Sequence, residues 1–87
     1  MCSSDLMAAA GLWARGLPEG REIIIDLSRH GDWFVRAHAT YWVGEYGKEF
    51  DYTLLFQRLT LEEDPIVKAE LVRSLIKIQM RERKGER

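Results

Sequence analysis

Eighty-seven residues, 46% of them apolar and including three Trp, three Tyr and three Phe, describe one folded domain or a fragment of one rather than a disordered chain. Thirteen basic residues against fourteen acidic ones leave a formal net charge of −1, so no global excess of charge draws the chain to nucleic acid or to an anionic membrane surface. The single cysteine, Cys2, excludes an intramolecular disulfide and is expected to be an exposed thiol. The N-terminus lacks the basic start of a signal peptide, and no window approaches the roughly 20 apolar residues of a membrane span. A cytoplasmic location is the resulting expectation.

Residues 1–3 read as a disordered N-terminus or a cloning remnant. Ser3-Ser4-Asp5 offers N-cap residues for a first helix over 4–16, rich in Ala and ended by Gly16 at the left-handed position past a helix end. Its small side chains allow close approach to a neighbour. Leu17-Pro18-Glu19-Gly20 is a turn, with Pro18 tolerated in the first turn of the next helix. That helix runs Arg21 to Arg29, with Ile23, Ile24 and Leu27 on one apolar face. The run Ile23-Ile24-Ile25 also fits a short strand; helix is preferred, because the segment aligns with a later one of clear helical spacing.

Gly31 stops this helix and Asp32 caps the next. From Asp32 the stripe is Val35, Ala39, Trp42, Val43 and Tyr46, a 3.6-residue period ended at Gly47. Asp51 is positioned to cap a fourth helix over Tyr52–Thr60, with Leu55, Phe56 and Leu59 inward. Asp64 caps a fifth helix with Pro65 in its first position and Val67, Leu71, Ser74, Leu75 and Ile78 along its buried side. The helix reaches Met80 or a little further, and 81–87 is a charged segment without an apolar residue.

The second and fourth helices, and the third and fifth, are related by an offset of thirty-two residues: Asp32 falls on Asp64, Val35 on Val67, Arg36 on Lys68 and Ala37 on Ala69. A helical repeat of that length predicts an all-α fold, an α-solenoid. The first helix fits as the second member of an incomplete earlier pair, at an offset of thirty-one that puts Leu12 on Val43 and Ala8 on Ala39. The layout is a lone helix at 4–16, one repeat at 18–47 and another at 49–80, together a domain over 4–80. That is five helices, or about two and a half hairpins, close to the three such arrays need.

The pattern Asp-x-x-Val-Arg-x-x-Ala, followed by an apolar residue and Gly, resembles the second helix of HEAT repeats, and most nearly the short HEAT-like repeats of phycobilin lyase-type proteins. Asp32, Val35, Arg36, Ala39 and Val43 carry the first copy; Asp64, Pro65, Val67, Lys68 and Leu75 carry the second. Lys68 stands for the usual Arg and Leu71 for the usual Ala. The spacing sets Asp32 and Arg36 within i,i+4 reach, as one exposed pair or as a rung of a charge ladder between stacked repeats.

No catalytic constellation is visible, and no catalytic residue, cofactor or metal site is expected. His30 and His38 are separated by a helix break, and no glycine-rich phosphate loop is present. Glu62-Glu63-Asp64 reads as a cap and dipole feature. The resemblance implies that the second helices line a concave side that often binds partners. Spacing defines a face there: Phe34, His38, Tyr41 and Glu45, recurring as Ile66, Glu70, Arg73 and Lys77. Columns of Phe34 by Ile66, His38 by Glu70, Tyr41 by Arg73 and Glu45 by Lys77 suit protein recognition. They suit equally well simple pairing between repeats, and Trp33 and Trp42 fit packing better than recognition.

The expectation is therefore a non-enzymatic protein-interaction or scaffold module. Alternatives are a lyase- or chaperone-like subunit holding a substrate protein, and a HEAT-like nucleic-acid-binding domain, which the acids Glu45 and Glu70 disfavour. The partner is expected to be another protein or, through exposed end helices, a second copy; no membrane is involved.

Overall fold

The computed structural model describes residues 2–85, with side chains described over 5–83; Met1 and the Cys2 thiol lie outside that description. Five helices follow one another: α1 (Cys2–Ala14), α2 (Pro18–Leu27), α3 (Trp33–Tyr46), α4 (Tyr52–Leu61) and α5 (Pro65–Gly85), with a short 3-10 turn at Glu49–Asp51 before α4. There is no strand among the described residues, and Ile23-Ile24-Ile25 is helical. The β-branched run is held in a helix because α2 packs against both α1 and α3, and tertiary burial outweighs local preference.

Helices α1, α3 and α5 lie side by side in one layer, α3 between the other two; α2 and α4 form the second layer, α2 against α1 and α3 and α4 against α5. The resulting slab measures 41 × 29 × 15 Å. Its core runs unbroken from Leu6, Ala9 and Ala10 through Ile24, Val35, Ala39 and Val43 to Leu55, Val67, Leu71, Leu75 and Ile78. The stripes expected on α3 and α5 are the buried ones, with Trp42 and Tyr46 half-buried at the edge.

Two glycines set the helix spacing. A Cβ added at Gly20 would lie 2.9 Å from Leu12 Cβ and closer still to the backbone of Ala9 and Trp13; one added at Gly44 would lie 2.8 Å from Ser74 Cβ. Both are closer than real Cβ contacts allow, so only glycine lets α2 meet α1, and α3 meet α5, at this distance. Ser74 Oγ uses the proximity to donate to the Thr40 carbonyl at 2.9 Å. Gly16, at φ 83°, occupies the left-handed position after α1 that the sequence assigns it.

Several local expectations are corrected. Helix α1 begins at Cys2, so Ser3-Ser4-Asp5 lies inside its first turn rather than capping it. On α2 the buried residues are Ile24 and Ile25, while Ile23 faces out at 40% exposure. On α4 Leu55 is buried and Phe56 is 56% exposed. The buried positions of the first helices are related by thirty-one residues (Gly20 to Asp51, Ile24 to Leu55), those of the second by thirty-two. The extra residue lies in the stretch from Leu55 to Val67, against that from Ile24 to Val35, and it turns Phe56 out of the position that its thirty-two-residue alignment with Ile24 implies.

Asp51 does not cap α4 either. It is fully buried, accepts from the Lys48 N–H at 3.0 Å and takes both Nε and Nη2 of Arg21. It ties the α3–α4 turn to α2, thirty residues away.

Candidate protein-interaction groove

The exposed side of the α1–α3–α5 layer begins with the start of α3. Asp32 Oδ1 accepts the Phe34 N–H at 3.0 Å, which fixes the first turn and places Trp33 and Phe34 at its mouth. Asp64 does the same for α5, accepting from Ile66 at 2.8 Å and Val67 at 3.2 Å. The two caps hold Phe34 and Ile66 at equivalent places on neighbouring helices.

Behind them lies an ion pair that helical spacing alone places differently. Arg36 does not ladder with Asp32, whose carboxylate serves as a cap. Its Nε and Nη2 donate to the two oxygens of Glu62, each at 2.9 Å, and Nη1 donates to the carbonyls of His30 and Gly31 at 2.9 and 3.0 Å. Glu62, read from the sequence as part of a cap and dipole feature, has a side chain only 3% exposed. Burial pushes its carboxyl up, but the hydrogen bonds from Arg36 and from the Asp64 and Glu63 N–H groups, together with the Arg36 charge, outweigh that and hold it below its ordinary value. The bond to Glu62 likewise raises the Arg36 guanidinium. This pair joins the α2–α3 turn to the α4–α5 turn.

In front of this frame, α1, α3 and α5 enclose a groove of about 810 Å³, lined by Leu6 and Met7 of α1, by Asp32, Trp33, Phe34, Val35, Ala37, His38, Tyr41 and Trp42 around α3, and by Ile66 and Glu70 of α5. Its rings lean on one another: Phe34 meets His38 edge-on with centroids 4.4 Å apart, Trp33 meets Phe34 at 5.7 Å and Tyr41 meets Trp42 at 4.9 Å. Trp42 stacks on Tyr46 at 5.6 Å, and Tyr46 reaches Trp13 at 6.0 Å. His38 Nδ1 lies 3.1 Å from the Phe34 carbonyl, a bond that requires the proton on Nδ1.

Of the eight residues that spacing puts on this face, Phe34, His38, Tyr41, Ile66 and Glu70 line the groove. The other three lie outside its lining. Lys77 Nζ donates to Glu45 at 2.7 Å and also sits 4.6 Å from the centre of the Tyr41 ring. Arg73 turns to Glu70 of its own helix at 3.3 Å; Tyr41 has Lys77, not Arg73, for its cation. The lining from α1 is absent from the face that spacing defines, although the thirty-one-residue offset sets Met7 on His38. Trp33, which fits packing better than recognition by sequence, and Asp32, expected to cap, also line the groove.

No group of three or more His, Cys, Asp or Glu among the described residues is arranged to hold a metal ion. His30 Nδ1 instead accepts from the Asp32 N–H at 3.0 Å. No described helix is long and apolar enough to cross a membrane. A family model described as HEAT repeats matches residues 4–76. No curated protein and no solved structure matches the chain. HEAT repeats are in general non-catalytic protein-interaction and scaffold modules. With two helical pairs in register, a preceding lone helix and a family match over most of its length, the chain belongs to the HEAT repeats.

Proposed function

We propose that the chain is a non-enzymatic protein-interaction module whose partner docks in the α1–α3–α5 groove. The observation that carries this reading is the run of exposed apolar side chains along one face: Met7 at 64%, Trp33 at 43%, Phe34 at 51%, Tyr41 at 37% and Ile66 at 57%. Large side chains exposed together in a concavity mark an interaction site more often than a bare surface. The rigid aromatic anchors lose little conformational entropy on binding.

Site-specific photocrosslinking tests it. A photoreactive residue at position 34 or 66 is expected to capture a discrete partner in cells, and one at Ile23, exposed on α2 of the other layer, is not. Equal capture from all three positions would sink the reading. A captured client carrying a chromophore would narrow it to a lyase- or chaperone-like subunit, and nucleic acid as the captured species would replace it. The homodimer reading rests on a second set of exposed apolar residues, Phe56 of α4 with Val72, Ile76 and Met80 of α5. Concentration-dependent sedimentation that disappears in Ile76→Glu would support it.

A further inference from the structure

The groove is apolar, but its charge is one-sided. The charged side chains that line it are Asp32 and Glu70, and among the described residues no lysine or arginine lines it. Glu70 is the informative one. Its Oε1 is held by Arg73 at 3.3 Å, a long bond to a side chain that is itself 64% exposed. Its Oε2 is buried and has no hydrogen-bond partner among the described residues. A carboxylate oxygen left unpaired is costly; closed off as it stands, it gains a donor when the Glu70 side chain turns toward a bound cation and gives up its long contact to Arg73. The aromatic walls add to the preference, because the faces of Trp and Tyr attract cations. Lys77, outside the lining, already shows this, seated over the Tyr41 ring.

We propose that the groove selects a polypeptide segment that combines apolar anchors with an arginine or lysine, the anchors seated between Met7, Trp33, Phe34 and Ile66 and the cation directed at the Glu70 carboxylate. This deepens the interaction reading above and rests on it. The occupant is a basic-apolar segment: an acidic one would meet Asp32 and Glu70 as like charges, and a purely apolar one would leave the Glu70 oxygen unpaired. Phosphate-bearing ligands, nucleic acid included, are disfavoured for the same reason.

Selection of a random peptide display library on the full chain tests the idea whatever the natural partner is. Selection on the wild type is expected to enrich sequences with an aromatic or aliphatic residue near Arg or Lys and to deplete Asp and Glu. Enriched peptides are expected to lose binding to Phe34→Asp and to bind Glu70→Gln about tenfold or more weakly. Selection on Glu70→Arg is expected to reverse the charge preference. Because Glu70 is half-buried and Phe34 exposed, circular dichroism of each variant separates lost binding from lost folding. Peptides that depend on Phe34 yet show no basic bias, or no response to Glu70→Gln, would overturn this inference and leave the interaction reading standing. Failure to enrich any Phe34-dependent peptide would overturn both.

Discussion

Arg36 and Glu62, twenty-six residues apart, form a two-pronged ion pair with both N–H···O distances at 2.9 Å. Arg36 is 17% exposed and Glu62 3% exposed in their side chains. Their geometry is the planar fork that guanidinium and carboxylate share, which a lysine could not reproduce. Removing either partner strands the other charge in a poorly solvated place. Glu62→Ala is expected to cost about 3 kcal/mol or more in urea unfolding. Arg36→Ala, Glu62→Ala and the double variant, compared in one cycle, are expected to show a coupling of about 1–3 kcal/mol. Additive single effects would contradict the pairing.

The same pair gives a pH dependence of definite sign. The Glu62 carboxyl lies below its ordinary value of 4.5 in the folded chain. The unfolded chain therefore binds this proton at higher pH than the folded one. The stabilisation is fully present above the unfolded value and is lost as pH falls through the folded one. Acid unfolding of the wild type is expected to steepen below about pH 4.5. In Glu62→Gln that contribution is absent, and the acid limb measured by circular dichroism should be shallower. Identical acid limbs in the two proteins would argue against the assignment.

Glycine substitutions separate close packing from mere helix interior. Gly44→Ala forces a methyl to within 2.5 Å of Ser74 Oγ, and overpacking of this kind typically costs about 1–3 kcal/mol. Adding Ser74→Ala to it removes that oxygen but leaves the 2.8 Å approach to Ser74 Cβ, so rescue should be partial. Gly11, inside α1 and exposed, has nothing within 4 Å of an added Cβ. Gly11→Ala is expected to stabilise by about 0.5–1 kcal/mol, the ordinary helix-propensity gain. Thermal melts of the variants would show the opposite signs directly.

The C-terminal charged segment has a structural task. Arg81 Nη1 donates to the Gly44 carbonyl at 2.8 Å and Nη2 donates to the Gly47 carbonyl, covering backbone groups at the end of α3. Those carbonyls would otherwise be satisfied only by solvent. Arg81→Ala is expected to cost about 1–2 kcal/mol, although the segment from 81 onward carries no apolar residue. A chain ended after Met80 should lose at least as much, read as a lower urea midpoint. Unchanged midpoints in both would show that the contact contributes nothing.

Much of the frame is legible in the chain because helical period and capping are local. Asp32 and Asp64 cap as expected, and Val67, Leu71, Ser74, Leu75 and Ile78 are all buried. Half of the groove is legible too: Phe34, His38 and Tyr41 share a face by spacing, and Ile66 and Glu70 follow by repeat. What spacing does not supply is the third wall. Met7 enters the groove only because α1 packs beside α3, and only the packed structure shows Arg73 turned to one Glu70 oxygen with the other left without a partner among the described residues.

Ile23, Phe56, Asp51 and Glu62 mark the boundary between the two kinds of information. The chain by itself determined helix type, the capped starts of α3 and α5 and a repeat of about thirty-two residues, since these follow from backbone propensity, caps and period, whereas both ends of α2, expected at Arg21 and Arg29, lie at Pro18 and Leu27. It did not determine which of two adjacent apolar residues turns inward, because one residue of length between Leu55 and Val67 rotates that choice by about 100°. Nor did it determine that two acids, both expected as features of helix starts, are buried against Arg21 and Arg36. Those pairings join residues that only the stacking of the helices brings together.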